Sequence, residues 1–190
     1  ARAGLMEAVP YSSKKMAYWR QRFEEGFDVM HANRLQYTGD PLAVPVMSFY
    51  LAYHGQNDRP LMEKLCKFWR GACPSLNFVA SFELMKSPKR RVGFFSRFFK
   101  RHAVGFTIEG LLEGLAEKAS DDIEIVIISL AGDEDDWDNL NLKAARVLTV
   151  PHDLTTAQNA ISELGLDILI YADIGMDPFS YYLSFSRLAP

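Results

Sequence analysis

Hydrophobic positions follow two different patterns along this chain, and the change between them falls near residue 86. Between residues 14 and 33, Met16, Trp19, Phe23, Phe27 and Met30 recur at spacings of three and four, with Lys, Arg, Gln and Glu between them. That is the stripe of an amphipathic helix. A second helix is expected over 42–54. A third is expected over about 59–70, with Asp58 as its cap, Pro60 in its first turn and Gly71 as its stop. Residues 1–80 therefore read as an all-helical region, without a convincing internal repeat.

After "KSPKRR" (86–91) the pattern changes. "RVGFFS" (91–96) reads as a buried strand, 103–119 as a helix, "IEIVIISL" (123–130) as a strand and "RVLTV" (146–150) as another. "TTAQNAISELG" (155–165) reads as a capped helix ending at Gly165, "LDILIYAD" (166–173) as a strand and 178–188 as a helix. Apolar β-branched runs that alternate with helical patterns indicate a parallel sheet covered on both faces. The fold class is thus α/β, an open, doubly wound, Rossmann-like sheet preceded by a helical region. The domain division follows as 1–85 and 86–190. In such sheets the ligand crevice lies beyond the carboxyl ends of the strands, where the winding reverses. With the strand at 91–96 near the centre and beside 166–173, the segments 97–105 and 173–178 border one cleft. His102 then stands on one lip, and Asp173 and Asp177 on the other.

Composition narrows the setting. The chain has 190 residues, is 48% hydrophobic and 24% charged, and carries a net charge of −3. A pI near 5.8 argues against a binder of nucleic-acid backbone, which needs a basic excess. No window approaches the roughly 18 apolar residues of a membrane span, and no signal peptide opens the chain, so a cytoplasmic location is expected. Cys66 and Cys73 read as small buried apolar residues rather than a disulfide or metal pair. The chain starts at Ala1 without an initiator Met and stops just after an apolar helical pattern, and it is expected to be a piece of something longer.

The residues after the first strand, "SRFFKRHAVG", contain neither G-x-G-x-x-G nor G-x-x-x-x-G-K-[ST], which removes most of the weight from dehydrogenases and P-loop enzymes. His102 has two readings there: a ring that caps the following helix, or a ring exposed in a catalytic crevice. "GDEDDWDN" (132–139) contains a D-x-D at Asp133 and Asp135, but five charges in one connection read as a solvated loop, and no metal is expected there. The basic cluster of Lys86, Lys89, Arg90, Arg91, Arg97, Lys100 and Arg101 could attract phosphate or an acidic partner. His31, His54 and His152 match no metal-ligand spacing and read as surface or capping residues.

Three stretches, "FYLAYHGQNDRPLMEKLCKFWRGACPSLN", "RRVGFFSRFFKRHAVGFTIEGLLEGL" and "LGLDILIYADIGMDPFSYYLSFSRLAP", together resemble the SPINDLY and O-GlcNAc transferase type of glycosyltransferase, particularly its bacterial members. The resemblance spans most of residues 45–190. It implies a helical, often tetratricopeptide-repeat, region followed by a two-lobed GT-B catalytic unit, with 86–190 as the amino-terminal lobe and helices such as 14–33 and 59–70 linking it to the repeats. The family's H-x-x-G falls on His102 and Gly105. It implies a histidine lining the active site as a base or as a contact to the sugar nucleotide. Where the animal enzymes read S-S-D-F ahead of that histidine, this chain has Ser96, Arg97, Phe98 and Phe99.

On that resemblance the expected activity is inverting, metal-independent transfer of a sugar from a nucleotide diphosphate to a protein Ser/Thr or Asn side chain. UDP-GlcNAc, UDP-glucose and GDP-fucose are the donors in view, and no cofactor is required. His102 is the candidate catalytic residue, and Gly105, Asp173 and Asp177 are candidate substrate contacts. The expected partners are the donor, a protein acceptor and a carboxy-terminal lobe, with neither nucleic acid nor membrane. The alternative is a non-catalytic interaction module made of the helices and an inactive α/β domain.

Overall fold

Ser12 sets the start of the first helix by accepting a hydrogen bond from the Lys15 amide at 3.2 Å. A computed structural model describes residues 6–82, 88–99, 102–118, 121–132 and 146–190. These residues form two units, Ala1–Asn77 with Gly175–Pro178 and Phe78–Ile174 with Phe179–Pro190.

In the first unit α1 (Ser13–Ala32) and α2 (Arg59–Ala72) pack through the predicted stripe. Phe23 and Phe27 lie 4.8 Å apart edge to face, and Phe27 meets Phe68 of α2 at 5.4 Å. Arg20 meets Asp58 at 2.6 Å, and Lys64 reaches both Glu24 and Asp28 at 2.6 and 3.0 Å, so the two helices run side by side in the same direction. The Lys64 pairs are half exposed, so solvent screens them and they add little to stability.

Four expectations need correction here. The helix read over 42–54 is instead two 3₁₀ segments, Pro41–Ala43 and Met47–His54. Pro45 disfavours helical backbone at the residue before it, and Val44 is extended at φ −98°, ψ 120°. Asp58 occupies the cap position of α2 without a capping hydrogen bond, because its carboxylate is taken by Arg20, and Asn57 Oδ1 accepts the Arg59 amide instead. Gly71 does not stop α2, which runs on to Ala72. His54, read as a surface or capping residue, is buried, with its Nε2 3.3 Å from the Glu7 carbonyl.

The second unit is built on four strands, β1 (Arg90–Phe95), β2 (Ile123–Leu130), β3 (Arg146–Val150) and β4 (Ile168–Tyr171). All pair in parallel, in the order β3-β2-β1-β4. The sheet is the expected open Rossmann-like one, with β1 central and beside β4. Register sorts the side chains onto two faces. Val92, Phe94, Ile125, Ile127 and Ile170 share one face, where Ile108, Leu112 and Leu115 of α3 (Ala103–Lys118) cover them. On the other face Phe95 stacks on Phe179 of α5 (Pro178–Leu183) at 5.9 Å, and Tyr171 donates its hydroxyl to the Leu183 carbonyl at 3.3 Å. Phe94 and Phe95 are fully buried, each contributing roughly 1.5–3 kcal/mol by leaving water.

Arg91 ties the amino ends of three strands. Its amide donates to Asp167 at 2.7 Å, its Nε to Glu124 at 2.9 Å and its Nη1 to the Leu164 carbonyl at 3.0 Å. α4 (Leu154–Ser162) is capped by Asp153, whose carboxylate accepts the Thr156 amide at 2.7 Å, and Gly165 beyond it takes φ 58°. The helix read over 178–188 is only six residues long, because the backbone beyond it is used elsewhere: Arg187 and residues 78–80 exchange two hydrogen bonds of 2.9 Å.

Candidate functional site

β1 leads to β2 and β3 on one side, and the chain then returns to place β4 on the other side of β1. The reversal of winding therefore falls between β1 and β4, and the residues just beyond their carboxyl ends, Ser96 and Asp173, border the ligand position of such sheets. Sheet pairing continues to this edge through the Ala172 amide, which donates to the Phe95 carbonyl at 3.0 Å.

Ser96 and Asp173 are both buried, at 1% and 8% exposure, and the Ser96 hydroxyl donates to Asp173 Oδ1 across the two strand ends. The same hydroxyl oxygen accepts the Phe98 amide at 2.9 Å, closing a tight turn directly after β1. The Phe98 ring lies against the His102 ring at 4.6 Å with 29° between the planes. His102 then opens α3. Its carbonyl accepts the Phe106 amide at 3.1 Å, and its Nδ1 accepts the Val104 amide at 3.3 Å. The capping reading of His102 is thus realised in the geometry, and the ring is only half buried.

That bond decides what the ring can do. A nitrogen that accepts an amide N–H carries no proton of its own, so the neutral ring holds its proton on Nε2. While the cap is in place, Nε2–H is able to donate a hydrogen bond but has no lone pair with which to take a proton.

The other sequence-selected residues distribute as follows. Gly105 is buried in the first turn of α3. Asp177 is buried and belongs to the first unit. Among the described members of the basic cluster, Arg90 and Arg91 lie at the amino end of β1 and Arg97 follows its carboxyl end, separated by a strand of about 3.3 Å per residue. Lys86, Lys100, Arg101 and the Asp133–Asp138 loop lie outside the described residues. Among the described residues there is no group of three or more His, Cys, Asp or Glu side chains placed to hold a metal. Nor is any described helix long and apolar enough to cross a membrane. Cys66 and Cys73 are free, and Cys73 is buried.

Sequence reasoning did not select Ser96, which the fold pairs with Asp173. The available signal was a small hydroxyl directly after the central strand, at the point where the winding reverses.

Burial pushes the Tyr171 phenol well above its ordinary range, so it stays neutral beneath the site. The two Thr156 hydrogen bonds, side chain first, lower the Asp153 carboxyl below its ordinary 3.8.

No protein-family model matches the sequence, and no curated protein matches it. Among solved structures, a mutant of the Thermobaculum terrenum O-GlcNAc transferase matches with a TM-score of 0.46 and 13% identity, over 91% of this chain and 30% of that one. The chain therefore spans less than a third of that transferase chain's length.

Proposed function

We propose that this chain contributes the amino-terminal lobe of a GT-B glycosyltransferase. The enzyme would move a sugar from a nucleotide diphosphate to a protein Ser/Thr or Asn side chain, with inversion and without a metal. The observation that carries the reading is the site at the reversal of winding. His102 follows β1 there and is linked through Phe98 and Ser96 to Asp173 after β4, and the sequence directly after β1 carries no phosphate-cradling glycine pattern. The H-x-x-G at His102 and Gly105, within three ordered motifs resembling the O-GlcNAc transferase type, supports the same assignment.

His102 would act as a contact to the donor. With Nδ1 held by the Val104 amide, the ring offers Nε2–H to an oxygen of the nucleotide sugar, where a hydrogen bond strengthens as charge develops on the departing diphosphate. Gly105 leaves the first turn of α3 without a side chain. Base recognition, and with it the choice among UDP-GlcNAc, UDP-glucose and GDP-fucose, would belong to a second lobe. The test is to incubate the full-length protein with each of the three sugar nucleotides and follow hydrolysis and acceptor mass by mass spectrometry. Turnover of one donor supports the reading. Turnover of none rejects it in favour of a non-catalytic interaction module.

A further inference from the structure

Ser96 and Asp173 face one another from positions 77 residues apart in sequence, and both are buried at the one place in the sheet where a ligand is expected. A buried carboxyl and hydroxyl are expensive to desolvate, and a wholly apolar pair would close two parallel strand ends more cheaply. Their hydrogen bonds show what they hold. Ser96 Oγ gives its hydrogen to Asp173 and uses a lone pair for the Phe98 amide, so the carboxyl fixes the orientation of the hydroxyl and the hydroxyl fixes the turn. The turn sets the Phe98 ring, which lies flat against His102 at 4.6 Å. In the same arrangement the ring has its Nδ1 on the Val104 amide.

We infer that Ser96 and Asp173 are positioning residues, which act through Phe98 to hold the His102 ring in the tautomer that carries its proton on Nε2. Asp173, selected from sequence as a substrate contact, would thus work from behind the turn rather than on the ligand. A distal carboxyl assigned to this task explains why the side chain is buried against the strand end instead of standing exposed on the lip. The functional weight of the inference rests on the transferase reading. Its test does not, because it needs neither donor nor acceptor.

The measurement is long-range proton–nitrogen correlation NMR on the 190-residue protein with labelled histidine, at a pH where His102 is neutral. Wild type is expected to show His102 with a bare Nδ1 and a protonated Nε2. Ser96→Ala should mix the two tautomers and speed exchange of the Phe98 amide by about tenfold, the effect of losing one hydrogen bond. Ser96→Thr, which keeps the hydroxyl, should restore the wild-type pattern. Phe98→Leu leaves the Ser96–Asp173 pair in place and removes only the ring face, and it too should mix the tautomers. If Ser96→Ala fails to fold, Phe98→Leu and Ser96→Thr decide the matter. A wild-type ring protonated on Nδ1, a folded Ser96→Ala or a Phe98→Leu with unchanged tautomer populations, or a Ser96→Thr that does not recover the pattern, overturns the inference. Failure of all three sugar nucleotides to turn over would leave these spectra unaffected, so the two ideas fail separately.

Discussion

Gly93 lies in the middle of β1, the central strand, and an added methyl there has nowhere to go. A Cβ built on Gly93 would stand 2.6 Å from Leu166 Cδ1, and 3.3 Å from both Leu166 Cδ2 and Leu169 Cδ1. Carbon atoms rest near 3.5–4.0 Å, so Leu166 must retreat by about an ångström. At 3% exposure it has no solvent to retreat into. Overpacking of this kind costs about 1–3 kcal/mol, and replacing a strand glycine by alanine returns about 0.5–1 kcal/mol of backbone entropy. The net expectation for Gly93→Ala is a loss of about 0.5–2 kcal/mol in urea denaturation. Leu166→Ala alone should cost about 2–5 kcal/mol by opening a cavity. In the double variant the new methyl occupies part of that cavity, so the two losses should fall short of additivity by at least 0.5 kcal/mol, within the usual range for residues in contact. Additive losses, or a Gly93→Ala protein more stable than wild type, would refute the reasoning about how β1 packs.

Other consequences follow from the same structure and proposal. Thr156→Val removes the larger of the hydrogen bonds that lower Asp153, so the carboxyl should titrate closer to its ordinary 3.8 by NMR. A lowered folded-state pKa stabilises above the unfolded value and is lost on acidification, so the α4 cap should weaken as pH falls below about 4, and by less in Thr156→Val. Chelator should leave transfer by the full-length enzyme unchanged, and activity lost to chelator and restored by Mn²⁺ or Mg²⁺ would contradict a metal-independent mechanism. The 190-residue chain alone should turn over no sugar nucleotide in the mass-spectrometric assay, since the proposal places donor recognition in a second lobe, and measurable turnover would overturn that division.

Much of the α/β unit was legible in the sequence. "IEIVIISL" and "RVLTV" are apolar β-branched runs of strand length, and a parallel sheet buried on both faces leaves just that trace. The placement of β1 beside β4 entered the sequence reading only as the arrangement that would bring 97–105 and 173–178 to one cleft, and the strand order has it. Where the reading went astray, a non-local contact or a single backbone restriction had overridden the local pattern. Pro45 broke an apolar segment that otherwise suited a helix. Asp58 had the chemistry of a cap, but Arg20, 38 residues earlier, took its carboxylate. The last helix gave up its second half to a bridge between Arg187 and Val79. His102 was selected from its position after the first strand, but the pairing of Ser96 with Asp173 was not. Neither residue carries a local pattern, and only the folded register brings them together.

The most direct test of the account separates the cap at His102 from its chemistry. Asparagine is among the best capping residues, so His102→Asn in the full-length protein should fold as wild type does while removing the ring and its Nε2–H. With transfer measured at a saturating concentration of the sugar nucleotide that wild type uses, the account predicts a fall of about 10²- to 10³-fold, the effect of losing one positioned donor to developing negative charge. A folded His102→Asn enzyme that transfers sugar at the wild-type rate would contradict it.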